Sequence, residues 1–338
     1  MATVLERLNY ALSRAIEKDE RVYVLGEDIL DPYGGAFKVM RGLSTKYPDR
    51  ILTTPISEAA ITGIATGMAL RGLRPVVEIM FGDFVTLTTD QLINHASKFR
   101  WIYNDQVRVP LVVRTPMGGR RGYGPTHSQS IEKHFMGVPG LKVLAPNTLS
   151  DPAALLETAI ADDDPVLFVE HKLLYACPLL QPGKGDLIDF HIEQSEGNIP
   201  ISTLRSPGRA TLTISCYGYS FELVRKAALD LLYDHEIFVD IIVFSRLSPF
   251  EITPLLDSIT HTHTLLTVEE GGMTLGWGAE IVARVAECGI PALTIKRVAA
   301  MDLPIATSKP LEDEVLPSVQ GIVKAALELS ERKRYDQI

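Results

Sequence analysis

The densest run of residues able to do chemistry lies between Thr115 and Gln129, TPMGGRRGYGPTHSQ. Gly118, Gly119, Gly122 and Gly124 allow the backbone to approach a ligand closely. Arg120 and Arg121 add positive charge, and His127 lies beside Ser128. Imidazole titrates near neutral pH, which makes His127 a candidate proton carrier. The competing reading is a solvent loop ending in a helix cap at Ser130. Packing or exposure accounts for His95 and His134 on expected helices, and for His261 and His263 ahead of an expected strand. His171, His191 and His235 have no supporting neighbours.

The second candidate is Glu58 in TTPISEAAITGIATGMAL. This carboxylate opens an almost uncharged helix whose Gly63 and Gly67 suggest close coverage. Two roles stay open for it. It offsets the helix dipole in the first turn, or, buried among apolar neighbours, it retains a proton for donation. Gly82-Asp83-Phe84 followed by Asn104 does not make a metal site, because a third glycine is lacking and Asn104 falls in a polar turn. A Walker loop, a G-x-G-x-x-G turn after a strand and a G-x-S-x-G elbow are all absent. The glycines of EEGGMTLGWG (Glu269–Gly278) have the wrong spacing for a nucleotide fingerprint and open a helix instead.

The elements that must position these residues alternate. Strands are expected at 21–26, 75–81, 110–114, 142–145 and 165–170, mostly continuous apolar runs of the kind covered on both faces of a parallel sheet. Helices are expected at 57–71, 84–103 and 150–161. From 181 to 209 Pro and Gly break the pattern, which reads as a linker with a short strand near Leu187–Ile192. Alternation then resumes with strands at 211–216, 240–244, 264–269 and 292–298 and helices at 220–233, 276–287 and 312–332. The boundaries expected are 1–180 for a first α/β domain and 210–338 for a second.

Composition narrows the class. The chain has 338 residues, 46% hydrophobic and 22% charged, which suits a folded enzyme rather than a disordered chain. A net charge of -9 disfavours nucleic acid as a partner. No apolar run approaches the roughly 20 residues of a membrane helix. Cys177, Cys216 and Cys288 are too far apart for a Cys-x-x-Cys site and suit a reducing, cytoplasmic setting. Val4, Leu5, Leu8, Leu12, Ala15 and Ile16 repeat at helical spacing, so the N-terminal stretch reads as the first helix of the fold rather than a signal peptide.

Beyond this, longer segments resemble a family. GEDI (26–29), YGGAF (33–37), TPISEAAITGIATGMALRGLRPVVEIMFGDF, INHASKFRW, HSQSIEKHF (127–135) and PGLKVLAPNTLSDPAALLETAIADDDPVLFVEHKLLY follow one another in order. Together they resemble the beta subunit of thiamine-diphosphate-dependent 2-oxo acid dehydrogenases, the pyruvate, branched-chain and acetoin dehydrogenase beta chains. The resemblance covers about the first 175 residues, and EEGGMTLGWGAEI resembles the family's second domain. It implies a transketolase-like fold of two doubly wound α/β domains, a pyrimidine-binding domain and a transketolase C-terminal domain.

The resemblance also implies roles. Glu58 matches the glutamate that hydrogen-bonds the aminopyrimidine of thiamine diphosphate. Phe84 matches the aromatic that stacks on that ring, and His127 the histidine that positions substrate or lipoyl group and relays a proton. Ile56 and Met80 fall near the pocket. Asp162 and Asp164, with the backbone of Ala159 and Leu111, match a structural potassium site of some relatives, although Asp164 stands where Asn is usual. The Gly-Asp-Gly motif that binds magnesium and diphosphate is absent from this chain. An alpha subunit carrying it is therefore implied, in an α2β2 heterotetramer, with a lipoyl acyltransferase as the further partner. GGRRGYGPT is more basic than the pyruvate dehydrogenase pattern, the segment 178–209 matches poorly, and 332–338 extends the C-terminus. Arg120 and Arg121 would also suit the phosphorylated substrate of a split carboligase or transketolase-like enzyme with no lipoyl partner.

Overall fold

The computed structural model describes residues 1–181 and 183–335. Pro182 in the expected linker and residues 336–338 of the C-terminal extension lie outside the described residues. The strands, in chain order, are β1 Val22–Gly26, β2 Ile51–Thr53, β3 Arg74–Glu78, β4 Val112–Met117, β5 Lys142–Leu144, β6 Val166–His171, β7 His191–Gln194, β8 Ser202–Arg205, β9 Leu212–Tyr217, β10 Val239–Phe244, β11 Arg246–Ser248, β12 Thr264–Gly272 and β13 Thr294–Ala300. They build two sheets in two compact units. The first unit comprises 1–118, 126–179 and 246–249; the second comprises 119–125, 180–245 and the chain from 250 onward.

In the first unit the sheet order is β11-β5-β6-β4-β3-β1-β2. All neighbours are parallel except β11, which runs antiparallel to β5. Val76, Val77, Val112, Val113, Val166, Leu167 and Phe168 are fully buried, as expected for strands covered on both faces. Helix Val4–Lys18 begins with a reciprocal cap: the Thr3 hydroxyl accepts from the Glu6 N–H and the Glu6 carboxylate from the Thr3 N–H. Such a cap is worth about 1 kcal/mol. Its buried face, Val4, Leu8, Ala11, Leu12 and Ile16, packs on helix Pro152–Ala161.

One expected helix differs. The stretch 84–103 is a composite: 3-10 turns over Gly82–Thr88, π turns over Gln91–Ala96 and an α-helix over Ser97–Ile102. Apolar spacing does not report which carbonyl each amide chooses, and Leu87, placed on the buried stripe, is 55% exposed. Stretches of π-helix recur near functional sites.

In the second unit the sheet order is β13-β12-β9-β10-β8-β7. The last two strands form an antiparallel hairpin whose inner member pairs antiparallel with β10. The short strand expected near Leu187–Ile192 is β7, His191–Gln194, and β8, Ser202–Arg205, also lies inside the stretch read as a linker; each is only four residues long and flanked by turn residues. The helix expected over 312–332 is two, Lys309–Val315 and Val319–Tyr335. Pro317 supplies no N–H and disfavours helical backbone at Leu316. A further helix, Thr253–Thr262, carries His261 in its last turn. Glu269 accepts from the N–H groups of Trp277 and Gly278 at 2.7 and 2.8 Å, capping helix Trp277–Glu287. A Cβ on Gly278 would clash with Thr267 Oγ1, which explains this glycine as helix packing. Among the described residues no helix is long and apolar enough to cross a membrane.

Candidate active site

The candidate residues converge because the strands that carry them are parallel neighbours. At the carboxyl edge of the first sheet, β1 leads into Glu27, β3 into Met80, Phe81 and Phe84, β4 into Gly118, and β6 into Lys172. Open α/β sheets bind ligands at this edge. Glu58 begins helix Glu58–Leu70, which packs against the 82–88 turns and against β1.

Glu58 is buried, and so is Glu27. Burial, and then repulsion from the nearby Glu58, push the Glu27 carboxyl above the usual carboxylate range, against a hydrogen bond from the Ser57 N–H. Glu27 therefore keeps its proton to higher pH than an isolated glutamate would. Sequence reasoning missed Glu27. Its only signal was its place directly after an apolar strand in GEDI. The helix face bearing Gly63, Ile64 and Gly67 is exposed in this chain, contrary to the coverage expected from its glycines. Ile56 is also exposed (79%), and Met80 is half-buried.

His127 sits in an aromatic corner. Its ring meets Phe81 edge-on at 4.8 Å and Phe84 edge-on at 5.1 Å between centroids. Nδ1 lies 3.0 Å from Thr126 Oγ1. Edge contacts of this kind contribute about 0.5–1.5 kcal/mol each and fix a ring's tilt. The structure therefore brings Phe84 and His127 together, with Phe81 as a third partner the sequence reading did not single out. Asp83 bonds the backbone N–H and the amide of Gln129 through Oδ1, a structural tie rather than a metal ligand.

Beneath this corner lies a buried charge network. Arg114 donates to both oxygens of Glu170, at 2.8 and 2.6 Å, and to Glu78. Tyr175 donates its hydroxyl to Glu170. Two carboxylates share one guanidinium here. Burial outweighs the attraction of Arg114 and raises the Glu78 carboxyl, while Arg114 stays protonated. Lys172, also buried, donates to the carbonyls of Gly118 and His127 at 2.7 and 2.8 Å.

Two expectations meet difficulties. The Asp162 carboxylate receives the Lys142 ammonium on both oxygens, at 2.7 and 2.6 Å, and Asp164 receives Arg100 at 2.8 Å. The carbonyl of Ala159 accepts from the Asp162 N–H, and that of Leu111 from the Val166 N–H. These carboxylates are already neutralised by cationic side chains, so the side-chain ligands suggested for potassium do not fit that ion. Arg120 is likewise engaged within the second unit. It donates to Glu270 at 3.1 Å and to the Pro317 carbonyl, while its N–H bonds Glu312. The Arg120 charge, read as part of a site for anionic substrate, is thus held by a carboxylate 150 residues away in sequence.

An α/β unit with a carboxylate pair, an aromatic corner and a histidine at one sheet edge, followed by a second α/β unit, defines a class. The transketolase pyrimidine-binding domain matches residues 2–178, and the transketolase C-terminal domain matches residues 203–322. A structure titled "Split gene transketolase, inactive beta4 tetramer" superposes with a TM-score of 0.73 over 97% of this chain and 98% of that one, at 18% identity, which shows the shared fold. Similarity in sequence is more specific. The chain is 37% identical to the mitochondrial pyruvate dehydrogenase E1 component subunit beta-1 of Oryza sativa subsp. japonica, over 96% of this chain and 85% of that protein. It is 36% identical to the mitochondrial pyruvate dehydrogenase E1 component subunit beta of Drosophila melanogaster, over 97% and 88%. The chain belongs to the family of transketolase-like 2-oxo acid dehydrogenase beta subunits.

Proposed function

We propose that this chain is the beta half of a thiamine-diphosphate-dependent 2-oxo acid dehydrogenase that decarboxylates a pyruvate-like acid and passes the acyl group to a lipoyl domain. The observation that carries the reading is the presence of two pairs, Glu58 with Glu27 and Phe84 with His127, on segments that follow strands of one sheet or pack against it, in a chain whose sequence has no Gly-Asp-Gly motif. Orphaned polar atoms fit a bound pyrimidine there: Glu27 Oε1, Asp83 Oδ2 and Ser128 Oγ are buried without a hydrogen-bond partner among the described residues. When bound, thiamine diphosphate supplies the electron sink for loss of carbon dioxide. Glu58 would hydrogen-bond the aminopyrimidine, in a recess where water competes little. Phe84 would offer a ring face to the pyrimidine. His127 Nε2 would bind the substrate and exchange its proton.

Magnesium and diphosphate would be held by an alpha subunit in an α2β2 assembly. The exposed face of Gly63, Ile64 and Gly67, with Ile56 beside its start, suits that subunit. A lipoyl acyltransferase would complete the complex. The test is direct: supply the chain and its alpha partner with single 2-oxo acids and a lipoyl domain, and follow acylation by mass spectrometry. Decarboxylation without acylation for every acid would favour the split carboligase, although of its two motivating residues, Arg120 and Arg121, the first has its guanidinium on Glu270. A cytoplasmic location is proposed on the three thiols; fractionation checks it, since the relatives compared are named mitochondrial.

A further inference from the structure

The glycine-rich segment makes an excursion: the chain leaves the first unit after Gly118 and rejoins it at Thr126. Lys172 touches both ends. Its ammonium donates to the Gly118 carbonyl at 2.7 Å and to the His127 carbonyl at 2.8 Å. It also lies 5.5 Å from the centre of the Phe81 ring, the ring against which the His127 imidazole rests. Lys172 is 1% exposed. Lysine is almost never buried to that degree without a specific reason.

The strand order explains the reach. In β6 His171 pairs with Met117 of β4, and the Lys172 N–H donates to the Met117 carbonyl at 3.2 Å. The side chain therefore starts beside the point where the excursion begins. An ammonium offers three donors in a tripod, enough for two carbonyls and one further direction. Methionine or leucine would leave the buried Gly118 carbonyl and the part-buried His127 carbonyl without this donor.

We propose that Lys172 is a positioning residue for His127: it closes the neck of the 118–127 excursion and sets the imidazole through the His127 backbone and the shared Phe81 ring. This rests on the role assigned to His127 above. The lysine acts on the loop and not on the reacting atoms, so its loss lowers the turnover rate more than the affinity for substrate.

The test uses the complex with the alpha partner and the series Lys172→Arg, Lys172→Gln and Lys172→Met. Hydrogen exchange is followed over peptides covering 118–130 and, as a control, over 166–171 and helix 4–18. Expected is faster exchange confined to 118–130, about 10- to 100-fold for Met, smaller for Gln and near the parent for Arg, as suits loss of charge-assisted hydrogen bonds. With a 2-oxo acid substrate, kcat falls about tenfold or more for Met while KM stays within about threefold, the pattern of a group that matters in the transition state. Arg restores kcat. Unchanged exchange over 118–130, protection lost evenly across the first unit, or a loosened loop with unchanged kcat would each overturn the proposal. If the Met variant does not fold, the Gln variant carries the same comparison. If the parent turns over no 2-oxo acid, the assigned function fails while the exchange result still judges whether Lys172 holds the loop.

Discussion

Replacing Glu58 by Gln separates the two roles its sequence context leaves open. The amide keeps the volume of a side chain that is 6% exposed and removes its charge. If Glu58 only offset the helix dipole, the substitution would lower stability by about 0.3–1 kcal/mol and leave activity intact. The structure predicts otherwise. Glu27 lies close enough for Glu58 to raise its carboxyl, so removing the Glu58 charge relieves a repulsion in the folded state. Stability at neutral pH is then expected to hold or rise. Activity is expected to fall about 10²- to 10⁴-fold, the range for losing a positioned proton-transfer group. That loss is about 3–5 kcal/mol of transition-state stabilisation. The assay pairs 2-oxo acid decarboxylation by the assembled enzyme with urea unfolding of the same sample. Activity within about threefold of the parent, or a parallel fall of activity and stability, would refute the reasoning.

Three further outcomes follow from the charge network and the aromatic corner. Arg114→Met leaves Glu78 and Glu170 buried without their cation, and should lower the unfolding free energy by about 3–5 kcal/mol, read as a lower urea midpoint. The Glu78 carboxyl is raised in the fold, so its contribution to stability is fully present below the ordinary glutamate value of about 4.3 and is lost as pH rises through the folded value. Glu78→Gln should accordingly flatten the stability–pH curve between the ordinary and the folded value; an unchanged slope there would contradict the assignment. Phe84→Leu removes the edge contact with His127 and should weaken thiamine diphosphate binding by the assembled enzyme about three- to tenfold, measured by titration.

Much of the scaffold is legible in the chain because local signals agree with the tertiary outcome. Buried parallel strands such as Val166–His171 are apolar runs between Gly, Pro and Asp, and helix Glu58–Leu70 is bounded by its own first-turn carboxylate. His127 and Glu58 stand out for similar reasons, as the titratable members of otherwise small or apolar segments. The remainder is encoded in neighbours far apart in sequence. Glu27 and Lys172 lie in quoted segments, GEDI and VLFVEHKLLY, but nothing in those letters singles them out; they stand on one side because β1 and β6 end at the same edge of one sheet. Gly119–Pro125 reads as a basic solvent loop until Glu270 and Glu312 are placed against it. The 3-10 and π turns over 82–96 keep an apolar rhythm that resembles a regular helix, so only the backbone reveals them.

The central claim is that this chain holds the pyrimidine half of a divided cofactor site. Isothermal titration of thiamine diphosphate with magnesium tests it most directly, first with this chain alone and then with the chain assembled with its alpha partner. The account predicts no tight binding to the isolated chain and tight, magnesium-dependent binding to the assembly. Tight, magnesium-dependent binding by the isolated chain would contradict it.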